Sequence, residues 1–132
     1  MAEARDDQVS TRPLLDKLGV HSGMRVAVLG GFPEQFLALL RGRGAEVVDD
    51  LAGCDIAFLA AEDRARLSEV ATLAGGLRHD AALWIVRPRG SPAISEGETR
   101  AAGLEAGLVD VKVVHFSETH SAVKFVLRVR DR

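Results

Sequence analysis

The chain has 132 residues, the size of one domain able to bury roughly two-thirds of its unfolded surface. Its apolar fraction of 47% and charged fraction of 27% are those of an ordinary globular protein. A net charge of −2 argues against nucleic acid or anionic membrane as a partner, since both need a basic surface.

Residues 1–12 are polar and aperiodic and read as a disordered tail, with no secretory signal in MAEARDDQVSTRP. Residues 13–132 then read as a single domain. Leu14, Leu15 and Leu18 fall at helical spacing between Pro13 and Gly19, which predicts a short helix. RVAVLG, residues 25–30, is short, apolar and valine-rich, as a buried strand should be. Pro33 to Arg43 carries Phe36, Leu37, Leu39 and Leu40 on a helical face and stops at glycines. Ala45 to Val48 is a second strand, halted by Asp49-Asp50, and Asp55 to Ala60 a third.

Glu62 to about Gly76 places Leu67, Val70, Leu73 and Ala74 at helical spacing and predicts one amphipathic helix. Ala81 to Val86, with Trp84, is a fourth strand, closed by the Pro88-Gly90-Pro92 loop. Ser95 to Ala106 has a capping serine, with Glu96 and Glu98 in the first turn, where the helix dipole favours acids. Val109, Val111 and Val113, then Val123, Phe125, Leu127 and Val129, recur with period two. The link between these two runs is too short for a crossover, so they form an antiparallel hairpin. The predicted fold is α/β: a Rossmann-like three-layer sandwich, with a mostly parallel sheet of about six strands and a C-terminal antiparallel hairpin.

LLDKLGV, GMRVAVLG, EVVDDLAG, ALWIVRPRGS and GLVDVKV together resemble an uncharacterised bacterial family, domain of unknown function 3052, from about Pro13 to Val129. That family tends to have an aromatic, proline, lysine and glycine where Arg87-Pro88-Arg89-Gly90 stands here, and an aromatic at His120. At greater distance the layout resembles a shortened class I methyltransferase. That likeness implies S-adenosylmethionine held by a glycine-rich loop after strand one and by an acid ending strand two, the position of Asp49. The loop here, GGFPEQF, has paired glycines but neither G-x-G-x-G nor G-x-G-x-x-G.

In such sheets ligands bind beyond the carboxyl ends of the strands, where strand order reverses. The predicted crevice therefore comprises Gly30, Gly31 and Phe32 after strand one, Asp49 after strand two, Ala61 and Glu62 after strand three, and Arg87, Arg89 and Ser91 after strand four. The glycine pair either admits a ligand to the backbone or simply makes a tight turn. The two arginines with Ser91 either grip an anion or form a solvated loop paired to Glu62 and Asp63. His115, Glu118 and His120 can be written as a metal set, but read better as exposed turn residues, and no metal is expected. Cys54 stands at the amino end of strand three, the wrong end for this site, and reads as a half-buried thiol without a role; a single cysteine forms no internal disulfide and fits a reducing cytoplasm.

A sound scaffold with a partial cofactor loop and a basic crevice leads to the expectation of a non-enzymatic module. It would bind a small anionic or nucleotide-like ligand, or a protein partner, and require no cofactor. The alternative is a degenerate S-adenosylmethionine-dependent methyltransferase-like enzyme. A third reading is a homodimer joined edge to edge through Val123 to Val129.

Overall fold

Short valine- and alanine-rich runs flanked by glycine and acidic turns leave the chain little choice but parallel strands, and the computed structural model, which describes residues 14–128, has four of them. They are β1 (Arg25–Leu29), β2 (Glu46–Val48), β3 (Ile56–Ala60) and β4 (Ala82–Pro88). The hairpin strands β5 (Leu108–His115) and β6 (His120–Leu127) complete one six-stranded sheet in the order β2-β1-β3-β4-β6-β5. β1 to β4 pair in parallel, and β6 runs antiparallel to both β4 and β5. The tail assigned to residues 1–12, the helix start at Pro13 and the strand end at Val129 lie outside the described residues.

The period-two alternation of the strands feeds two cores, one on each face of the sheet. Val26, Ile56, Phe58, Trp84 and Ala122 face α1 (residues 14–18) and α2 (Glu34–Arg43), meeting Leu15, Leu18, Phe36 and Leu40. Ala27, Ala57, Leu59, Leu83, Ile85, Val123 and Phe125 face α3 (Val70–Gly76) and α4 (Glu96–Glu105). Trp84 is fully buried and its indole N–H donates to the Leu18 carbonyl at 3.1 Å, which satisfies both a buried donor and a helix-end acceptor. The three-layer α/β sandwich expected from the pattern is the fold observed.

Two expectations change. The single helix from Glu62 becomes a 3-10 segment, Arg64–Glu69, followed by α3, because the Asp63 side chain accepts from the Ala65 N–H and starts the turn after the acids. The final strand is not an edge. β6 lies between β4 and β5 and is hydrogen-bonded on both sides, so among the described residues the expected edge-to-edge dimerisation has no free strand from Val123 to Leu127 to use. The edges of the sheet are β2 and β5.

The amino ends of β1 and β3 are fixed by Asp55, whose carboxylate accepts from the Arg25 N–H at 2.8 Å and from Arg78 at 2.7 Å. The backbone N–H of Arg25, then the Arg78 guanidinium, hold its pKa below the usual carboxylate value. A carboxyl depressed in the folded state stabilises above its unfolded pKa, near pH 4, and that contribution disappears as pH falls through the folded value. Urea denaturation should therefore find Asp55→Asn less stable than the native chain at neutral pH, with the gap closing in strong acid. A gap that is constant with pH would remove this role from the carboxylate. Burial pushes the nearby Cys54 thiol up, which keeps it protonated at neutral pH.

Candidate functional site

The chain leaves β1, forms α2 and returns as β2 on one flank; it then crosses back and enters β3 on the other flank of β1. Strand order thus reverses at β1, and crevices open around its carboxyl end. Gly30, the first residue past β1, has φ of +99°, a conformation that other residues rarely adopt. A Cβ there would also stand 3.1 Å from the Ala60 Cβ and 3.2 Å from an Arg66 guanidinium nitrogen. Gly31 is different: a Cβ on it would meet nothing within 4 Å, so its backbone faces open space.

That space is a cavity of about 600 Å³ between the ends of β1 and β2, lined by Gly30, Gly31, Phe32, Asp49 and Asp50 with an apolar wall that includes Val28 and Leu37. The volume lies within the range of small-ligand sites. Asp50 is partly engaged, since its Oδ1 accepts from the Ala52 N–H at 2.8 Å. Asp49 is exposed and, among the described residues, its carboxylate has no hydrogen-bond partner. The lining thus offers backbone at a glycine, an apolar slot and a carboxylate ready to accept from a diol. Those are the contacts an adenosyl group needs, so the residues present fit S-adenosylmethionine.

A second cavity, about 350 Å³, opens between β1, β3 and the β5–β6 turn. Gly31 and Phe32 line both cavities. Ala60, Val86 and Phe116 form its apolar side, and Glu62, Ser117, Thr119 and His120 its polar side. Of its lining rings, Phe32 packs edge to face on Phe58 and Phe116, and Phe116 also on Phe36, with centroids 4.9–6.3 Å apart. Phe116, Thr119 and the pairing of His120 with Glu62 were not legible as a site in the sequence.

The basic loop does not join the crevice. Arg87 continues the alternation of Leu83 and Ile85, so it points to the α4 face, where it is 7% exposed and pairs with Glu96 at 3.3 Å. Arg89 is spent on the hairpin: it donates to His115 Nδ1 at 2.7 Å, to the Ser117 carbonyl at 2.8 Å and to the Glu118 carbonyl. Ser91 Oγ accepts from the Ala93 N–H within its own turn. None of the three lines either cavity, and their partners are not Glu62 and Asp63. Of the predicted residues, Gly30, Gly31, Phe32 and Asp49 meet at the larger cavity, Glu62 joins Gly31 and Phe32 at the second, and Ala61 is buried in the core and lines neither. The histidines also part company, His115 with Arg89 and His120 with Glu62 at 2.8 Å.

No family profile and no curated protein matches the sequence, so neither supports the likeness to domain of unknown function 3052. Solved structures do match the fold. An S-adenosylmethionine-dependent methyltransferase from Aquifex aeolicus superposes with a TM-score of 0.68 at 16% identity, over 87% of this chain and 88% of that one. An O-methyltransferase of neocarzinostatin biosynthesis, solved with S-adenosylmethionine and 2-hydroxy-5-methyl naphthoic acid, superposes at 0.61 and 15% identity over 96% of this chain. The pyocyanin biosynthetic protein PhzM gives 0.66 at 11% identity over 92%. The chain spans little more than half of the latter two, 57% and 55% of their lengths. At these identities the shared property is the Rossmann-like methyltransferase fold. This corrects the expectation of a non-enzymatic binding module: methyltransferases are among the structures that match, and they favour the methyltransferase-like alternative. No helix among the described residues is long and apolar enough to cross a membrane.

Proposed function

We propose that the chain is a reduced methyltransferase that binds S-adenosylmethionine in the cavity between Gly30 and Asp50. The observation that carries this is the pairing, in one ligand-sized space, of an open glycine backbone with the unpartnered carboxylate of Asp49. Asp49 would accept from the ribose hydroxyls, and Val28, Leu37, Val47 and Val48 would enclose the base. When bound, the cofactor supplies an electrophilic methyl group, and the electrons of its C–S bond leave with sulfur. The chain's contribution would be position: Gly31 and Phe32, which line both cavities, would hold the cofactor next to the second one. Membership of the domain of unknown function 3052 family, and a cytoplasmic location, belong to the same reading.

Isothermal titration with S-adenosylhomocysteine tests it directly. One saturable site per chain is expected, with a matching rise in melting temperature. Neither heat nor thermal shift at millimolar ligand would leave the fold without this function.

A further inference from the structure

The wall of the second cavity carries a hydroxyl, an imidazole and a carboxylate in line. Thr119 Oγ1 lies 2.7 Å from His120 Nδ1, and His120 Nε2 lies 2.8 Å from Glu62 Oε2. An ionised carboxylate only accepts, so Nε2 carries the proton and donates it to Glu62. In the neutral ring Nδ1 is then the nitrogen with the lone pair, and it accepts from the Thr119 hydroxyl. The Thr119 oxygen also lies 3.3 Å from Ser117 Oγ and keeps one lone pair for a donor that enters the cavity. Glu62 fixes the tautomer and faces any positive charge that forms on the ring, the part a carboxylate takes behind a working histidine. The two loops that supply this line are 58 residues apart in sequence and meet at the cavity.

The lining is also apolar in part: Phe32 and Phe116 meet there edge to face, with centroids 6.1 Å apart. A flat ring suits such a wall better than a sugar or a peptide, whose polar atoms would lose water without gaining partners. A phenolic hydroxyl, unlike an aliphatic one, also ionises within reach of an imidazole.

The geometry points to a small hydroxylated aromatic ring as the occupant of this cavity, with Thr119 and His120 taking the proton from its hydroxyl. The inference rests on the function proposed above, in which this ring is the methyl acceptor. The ring oxygen forms the new O–C bond with its own electron pair. Its proton passes to Thr119 Oγ1 as the threonine proton moves to His120 Nδ1, and the imidazolium faces Glu62. The methyl group would come from the S-adenosylmethionine of the function proposed above, whose C–S bond breaks with its electron pair leaving on sulfur, so that bonds and charge balance.

4-Nitrophenol is a suitable probe because its phenolate has a separate absorption band and no methyl transfer is needed to see it. The native chain should bind it and raise the phenolate fraction relative to free probe at the same pH. His120→Gln and Thr119→Val should keep ring binding and lose the rise; Thr119 lies in the turn and His120 is the first residue of β6, and neither belongs to the two cores. No binding to the native chain, or the same spectrum with all three proteins, would overturn the proposal. S-adenosylhomocysteine is titrated into the same samples. If it binds and the probe does not, the acceptor site alone is wrong; if the probe binds and ionises while it does not, the cofactor reading fails and the ring site stands.

Discussion

Asp49→Ala should weaken S-adenosylhomocysteine binding about 10- to 100-fold, the equivalent of one or two hydrogen bonds to a charged acceptor at about 1.5 kcal/mol each. The carboxylate lies on the rim of the larger cavity, exposed, with no side-chain hydrogen bond to lose among the described residues. Its removal should therefore leave stability within about 0.5 kcal/mol of the native value, so that a loss of affinity reads as a loss of contact. Asp49→Asn keeps one acceptor and drops the charge, and should fall between the two. Arg89→Ala supplies the contrast. The guanidinium is committed to the hairpin carbonyls and His115, so affinity for the same ligand should hold. Titration calorimetry on the four proteins decides the matter. Unchanged affinity in Asp49→Ala, or a large loss in Arg89→Ala, would move the site away from the end of β2.

The contrast between those residues also shows which part of the site the sequence carried. Gly30, Gly31, Phe32 and Asp49 come directly after the parallel neighbours β1 and β2, and neighbouring parallel strands deliver the residues past their carboxyl ends to one rim. Arg87 and Arg89, at the end of the apolar run of β4, were expected on that rim as well. The strand, however, runs on to Pro88, and alternation turns Arg87 toward α4 with Leu83 and Ile85. Hydrophobicity marks where the apolar run stops, not where the hydrogen-bonded ladder stops. The second cavity was hidden for another reason. Phe116-Ser117-Glu118-Thr119 reads as a polar turn with one stray aromatic. Yet α4 returns the chain so that β5 is antiparallel to β6 and runs the same way as β1 to β4, which carries this turn to their carboxyl ends. That inference was open from topology alone. The position of β6 between β4 and β5 was not, because order within a sheet leaves no period in the sequence; only the consecutive burial of Ser121, Ala122 and Val123 marks it as an inner strand.

The same packing sets up a second large effect, far from the site. α4 crosses β6 with Gly103 against the ring of Phe125, so closely that an added Cβ would lie 2.1 Å from Cε1. Phe125 is fully buried among Leu83, Ile85 and Leu108 and has nowhere to turn. Gly103→Ala gains about 1 kcal/mol of helix propensity but overpacks a closed core, which costs about 3 kcal/mol when a ring and a helix must both shift. A net loss of about 2 kcal/mol is expected, or about 8 °C in Tm for a domain of this size. Gly97 lies in the first turn of the same helix, exposed, and a Cβ there would approach nothing nearer than the Ser95 hydroxyl at 3.9 Å. Gly97→Ala should therefore raise Tm slightly, by about 0.5 kcal/mol of backbone entropy. Calorimetric melting of the pair tests the sign in each case. If Gly103→Ala melts at or above the native temperature, α4 does not rest on Phe125 as described, and the packing that holds β6 inside the sheet, and with it the turn bearing Thr119 and His120, would need to be redrawn.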